Sequence, residues 1–111
     1  MDSVKNWTKE EFKAYMLIHA SEADHTVTEA ELELLEEKFD SRILKKMSRE
    51  LKADNDYQRL QKIMSYIEIN DCKQEELDAL LSEIKEMYIS DGNFDVMEQT
   101  TFRFLQKALK V

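Results

Sequence analysis

The chain has 111 residues, 42% of them hydrophobic, which suits one domain with one core and favours it over a disordered acidic tail. One glycine and no proline are too few for the frequent tight turns of a sheet protein, so an all-α fold is predicted. A net charge of −8 argues against nucleic acid as a general partner, and a single cysteine, Cys72, excludes an internal disulfide.

The first predicted helix opens at Thr8. Thr8 and Glu11 form a capping box, and Trp7 and Phe12 form a hydrophobic staple. The helix runs to about Ala23. Phe12, Tyr15, Met16 and His19 share one face, and Leu17, Ile18 and Ala20 widen the apolar surface, so this helix is expected at the centre of the fold. His19 has no second histidine or cysteine at ligand spacing and is expected to be structural.

Thr28 and Glu31 repeat the capping box, and Val27 and Leu32 repeat the staple. The second helix places Leu32, Leu35 and Phe39 on one side and Glu29, Glu31, Glu33, Glu36 and Glu37 on the other. The third, Ser41 to Ala53, reverses the charge: five basic residues face one acid, Glu50. Arg42, Lys45, Arg49 and Lys52 lie on one face, with Lys46 beside it, opposite a stripe of Leu44, Met47 and Leu51 flanked by Ile43. As a functional feature this face would dock an acidic partner or membrane headgroups; as a purely structural one it is a solvated face that balances the acidic helices.

After the polar break Asp54-Asn55-Asp56, a fourth helix is predicted over about Asp56 to Ile69, with Tyr57, Leu60, Met64 and Ile67 as its stripe and Ile63 beside it. A fifth begins near Gln74 and presents Leu77, Leu80, Leu81, Ile84, Met87 and Tyr88. It ends at Gly92, a residue suited to a left-handed C-terminal position. A sixth runs from about Val96 to Lys110 with Phe102, Leu105 and Leu109 on one face. The six methionines are spread over several stripes, the pattern of gap-filling in a core. No linker divides residues 1–111, so a single compact bundle of about six helices is expected. No apolar run approaches membrane-spanning length and no signal-peptide pattern opens the sequence, so the expected address is cytoplasmic, with no integral membrane segment.

Two turns repeat at an offset of 67 residues: Asp24 aligns with Asp91, Val27 with Phe94, Thr28 with Asp95 and Glu31 with Glu98. As structure, each is a helix–helix corner, and Asp95 with Glu98 caps the last helix. As a metal site, the second turn matches the back half of an EF-hand loop, with Asp91, Asp95 and Glu98 at the fifth, ninth and twelfth positions. The first and third positions fall on Met87 and Ile89, which cannot ligate calcium; in the first turn His25 replaces the glycine. High-affinity calcium binding of the standard kind is therefore disfavoured. Carboxylates Asp24, Glu31, Asp91, Asp95 and Glu98 would form an oxygen site for a divalent cation such as calcium, magnesium or manganese if the two corners lie side by side.

The duplicated pattern Asp-Gly-x-apolar-(Ser/Thr/Asp)-x-x-Glu, each copy closing one helix and opening another, resembles the TerB-like domains. That family includes the tellurite-resistance protein TerB and a domain of membrane-anchored DnaJ-type co-chaperones. The resemblance covers about Phe12 to Leu109; Asp91, Gly92, Phe94, Asp95 and Glu98 match the pattern, and Asp24, Val27, Thr28 and Glu31 match except at His25. It implies an all-α bundle with internal pseudo-symmetry, no established catalytic chemistry, a role in stress-associated assemblies and metal sensing through the acidic turns.

For an enzyme the sequence offers little. It has no glycine-rich phosphate loop, no nucleophile–base signature and no zinc spacing. One Glu-x-x-His, Glu22-Ala23-Asp24-His25, occurs where a carboxylate di-metal bundle needs two. The expected function is a non-enzymatic binding or scaffold module with a protein partner, the alternative a divalent-metal sensor.

Overall fold

A computed structural model describes residues 2–22, 29–89 and 96–109, with the side chains of residues 2, 3, 97 and 98 left out of the description. The described residues form seven helical segments and no strand: α1 (Asp2–Lys5), α2 (Lys9–Ser21), α3 (Glu29–Lys38), α4 (Ser41–Ala53), α5 (Asp56–Asn70), α6 (Gln74–Ile89) and α7 (Val96–Ala108). The fold is an all-α bundle of six long helices plus the one-turn α1.

Local chemistry accounts for the helix ends. The Thr8 backbone N–H donates to the Glu11 carboxylate at 2.8 Å, and the Glu11 N–H donates to the Thr8 hydroxyl at 3.1 Å. Asp40 caps α4 by accepting from the Arg42 N–H at 2.8 Å, and Asn55 exchanges bonds with Gln58 at the start of α5. At the end of α5, Asp71 takes the left-handed conformation at φ 48°. The Cys72 N–H then reaches the Ile67 carbonyl and the Asp71 N–H the Glu68 carbonyl, which is a Schellman closure on a residue that carries a Cβ.

Helix α2 is the axis. It packs against α3, α4, α5, α6 and α7, while α3 meets α4 and α6, and α6 meets α7. Tyr15, Met16, Leu17 and Ala20 of α2 are essentially inaccessible to solvent, as a helix apolar around most of its circumference requires. Around it gather Met47 and Leu51 of α4, Ile63 of α5, Leu77, Ile84, Met87 and Tyr88 of α6, and Leu105 after them. Each such side chain contributes about 1.5–3 kcal/mol relative to exposure. The radius of gyration, 13.0 Å, is that of one compact domain of this length.

Three details differ from the sequence reading. Val4 in α1 is fully buried, and α1 lies against α5. Beside it Phe12 stacks on Tyr66 at 4.0 Å and Trp7 tilts against Tyr15 at 4.8 Å. That aromatic cluster draws Ile63, Tyr66 and Ile67 inward, so Tyr57 and Met64, expected on the buried stripe of α5, are 68% and 41% exposed. In α3 the inward register is Glu31 and Leu35, one helical turn apart, so Glu31 is fully buried and Leu32 is 48% exposed. The Thr28–Glu31 box, the Val27–Leu32 staple, the Gly92 turn and the Asp95 cap fall outside the described residues or their described side chains.

Candidate functional site

Helix α4 has a buried stripe and a solvated face, and its attachments fix which is which. Asp54, just beyond its last turn, accepts the Tyr15 hydroxyl at 2.8 Å and pairs with the Lys62 ammonium at 2.8 Å. Lys62 also lies 3.8 Å from Glu50. The Arg59 guanidinium donates twice to the Leu51 carbonyl, at 3.1 and 2.9 Å, satisfying an end-of-helix acceptor. At the middle of α4 the Lys46 ammonium sits 2.6 Å from the Glu11 carboxylate. That bond, and then the other donors around it, hold the Glu11 carboxyl below its ordinary value although burial opposes this.

So anchored, α4 turns Lys45, Arg49 and Lys52 outward along one edge of a groove of about 610 Å³ between α3 and α4. Leu32, Phe39 and Leu44 supply the apolar part of the groove, Ser41 and Ser48 its neutral polar part, and Glu36 the α3 edge. None of Lys45, Arg49 and Lys52 forms an ion pair among the described residues. By contrast Lys38, Lys46, Arg59 and Lys62 each meet a carboxylate on another part of the fold. Arg42 is exposed, lies 3.9 Å from its own helix cap Asp40, and is outside the groove lining.

Of the five carboxylates expected at a metal site, Asp24, Asp91 and Asp95 lie outside the described residues, as does the side chain of Glu98. Glu31 alone is placed, fully buried in the first turn of α3. Among the described residues no three histidine, cysteine, aspartate or glutamate side chains converge. The helix ends that lead into the two acidic turns do meet: the Tyr88 hydroxyl of α6 donates to the Ala20 carbonyl of α2 at 2.8 Å. Tyr88 also stands one residue past Met87, the partner of Ala20 in the repeat, so the contact joins nearly equivalent points of the two corners.

Other reactive groups are quiet. His19 stands 3.5 Å from Arg59, and burial followed by that guanidinium lowers its pKa, favouring the neutral ring. Cys72 lines a cavity of about 90 Å³, and burial raises the pKa of its thiol, the opposite of what thiolate chemistry requires.

The basic face was visible in the sequence; the groove beneath it and the ties at Asp54, Arg59 and Lys62 were not. One signal pointed to the ties: a tyrosine on a core face needs a hydroxyl partner, and Asp54 was the polar break near α4's end. Among the described residues no helix is long and apolar enough to cross a membrane. Comparison of the chain with family models, with curated proteins and with solved structures found no match.

Proposed function

We propose that this chain is a non-enzymatic binding or scaffold module of the TerB-like, stress-associated type, working in the cytoplasm and docking an acidic protein partner on the α3–α4 face. The observation that carries the docking is the row Lys45, Arg49 and Lys52, which form no ion pair among the described residues, beside a groove with apolar lining. In a chain of net charge −8, cations that form no ion pair with a described carboxylate leave their field open to an outside partner. The TerB-like assignment, and the tellurite-resistance and stress context with it, rests on the duplicated acidic turn.

The test is a photo-crosslinking residue at Ser48, which lines the groove, in the cells that express the chain. A discrete protein adduct lost on reversing Lys45 and Arg49 to glutamate is expected. Absence of any protein adduct, or one indifferent to those reversals, removes the docking reading.

A second reading, a divalent-metal sensor, is favoured by the Tyr88–Ala20 bond, which brings the helix ends leading into the acidic turns together, and by the buried Glu31. Asp24, Glu31, Asp91, Asp95 and Glu98 would supply oxygen donors for calcium, magnesium or manganese. Titration of metal-free protein should then give saturable amide shifts at residues 91–98 that Asp91→Ala abolishes; no shift up to millimolar metal sinks this reading.

A further inference from the structure

We propose that the occupant of the α3–α4 groove is one amphipathic helix of a protein partner, apolar along the stripe that enters the groove and carrying carboxylates at i, i+4 and i+7 on the flank beside α4. This rests on the docking reading above and names what docks.

The spacing of the cations is the first argument. Lys45, Arg49 and Lys52 stand at i, i+4 and i+7, so they form one row on α4 that runs about 10 Å at a rise of 1.5 Å per residue. A helix laid alongside repeats on the same period, so acids at the same three positions meet all three cations at once.

The groove supplies the second argument. Its apolar lining comes from both walls and the link between them: Leu32 of α3, 48% exposed, buried Phe39 just past the end of α3, and half-buried Leu44 of α4. A lining of this kind receives an apolar ridge, the helix-in-groove mode of recognition.

The third argument is the asymmetry of the two edges. The α4 edge is cationic and the α3 edge carries Glu36. An anionic bilayer or a polyanion presents one sign to both edges and is repelled at Glu36. A helix can carry acids on one flank and a neutral or basic residue on the other. The recessed Phe39 and Leu44 also give a bilayer little to bury, because only Leu32 projects. On this chain itself α3 carries that i, i+4, i+7 spacing of carboxylates, at the exposed Glu29, Glu33 and Glu36, so a second copy is the competitor that the test must separate from a partner helix.

The test uses the whole isotope-labelled chain and three probes. The first is an 18-residue helical peptide with leucines on one i, i+4, i+7 row, glutamates on a second such row along one flank and lysines along the opposite flank. The second is the same peptide with lysine replacing the glutamates. The third is a vesicle of phosphatidylserine and phosphatidylcholine. The acidic-flank peptide should shift the amides of Leu32 and of residues 44–52 saturably. Its Kd should rise at least tenfold in Lys45→Glu/Arg49→Glu and at least tenfold in Leu32→Asp; all three positions are exposed, so the amide spectrum should otherwise persist. The lysine peptide should bind at least tenfold more weakly.

Equal binding of both peptides, indifference to Leu32→Asp, or no saturable shift overturns the inference. Vesicle binding lost with Lys45→Glu/Arg49→Glu while the peptide fails assigns the face to lipid and overturns it as well. Sedimentation that shows self-association lost with the same reversals does so in favour of a second copy. If the peptide fails while the Ser48 protein adduct persists, only the helix inference falls; if the adduct is absent too, the docking reading falls with it.

Discussion

Replacing Asp54 with alanine tests the tie that sets the orientation of α4. Asp54 is 10% exposed and holds two groups: the hydroxyl of Tyr15, a residue with no solvent access, and the ammonium of Lys62, itself 14% exposed. A hydrogen bond to a charged group contributes about 1.5–3 kcal/mol, and its loss leaves the Tyr15 hydroxyl buried without its acceptor. Lys62 loses its closest anion but keeps Glu50 at 3.8 Å, so this part costs about 1 kcal/mol, well short of the roughly 3–5 kcal/mol of a buried charge left with no partner. Asp54→Ala should therefore destabilise by about 3 kcal/mol, roughly 12 °C in Tm for a domain of this size. Tyr15→Phe removes the donor but leaves Asp54 paired with Lys62, and should cost about 1.5 kcal/mol. The two losses share one bond, so the double variant should fall short of their sum by about 1–2 kcal/mol. Urea unfolding at pH 7 measures all four proteins, with an unchanged slope as the check that the end states are alike. A loss below about 0.5 kcal/mol for Asp54→Ala, or strict additivity with Tyr15→Phe, would refute the assignment of this tie.

Four further outcomes follow from the geometry. His19 has its pKa lowered first by burial and then by Arg59, so the unfolded chain binds its proton more readily; this contribution to stability falls as pH drops through 6.5 toward the depressed folded value. Proton NMR of His19 should give a midpoint below 6.5, moving up in Arg59→Gln, and a midpoint at or above 6.5 contradicts the burial argument. Glu11 shows the carboxylate case: its pKa is lowered chiefly by Lys46, so the stability that the pair supplies is present above pH 4.5 and disappears as pH falls through the depressed value. Lys46→Ala should thus be less stable than the parent at pH 7 and indistinguishable from it well below the folded pKa of Glu11, by urea unfolding at several pH values. Met47→Ala opens a cavity at a position with no solvent access and should cost about 2–5 kcal/mol in the same assay. Asp71→Gly relieves a left-handed residue at φ 48° and should raise stability by up to about 1 kcal/mol; a loss would mean that the Asp71 side chain stabilises the turn.

Helix existence and most helix ends were legible because capping is local chemistry. Thr8 with Glu11 marks a start within four residues, and the observed α4, Ser41–Ala53, has the bounds read from sequence. Helix α2, read to about Ala23, ends at Ser21. Choice of face was less legible. On α5 both Tyr57, Leu60, Met64 and Ile63, Tyr66, Ile67 are apolar stripes at helical spacing, and periodicity alone does not rank them. The aromatic cluster around Trp7 and Phe12 ranks them, and it assembles only in three dimensions. A one-turn helix such as α1 is too short to show any period, yet Val4 is buried.

The same limit explains the candidate site. Charge order along α4 is a one-dimensional fact, and Arg42, Lys45, Lys46, Arg49 and Lys52 look alike within it. Whether a cation is already neutralised depends on elements distant in the chain. Lys46 meets Glu11, thirty-five residues away, whereas Lys45, its neighbour, lies exposed along the edge of the groove and forms no ion pair with a described carboxylate. The apolar lining beside the row is what the proposed docking adds to the bare charge pattern, and the bonds behind α4 fix where that row stands. Here Arg59 is fastened to the Leu51 carbonyl, and Asp54 joins Tyr15 to Lys62 at the same end of α4. Those bonds keep Met47 and Leu51 in the core, which leaves Lys45, Arg49 and Lys52 on the outside beside the groove. Loosening them would blur the register of the cations without removing any charge. Charge reversal and Asp54→Ala would therefore separate two contributions to the proposed docking, the field of the face and the order of its row.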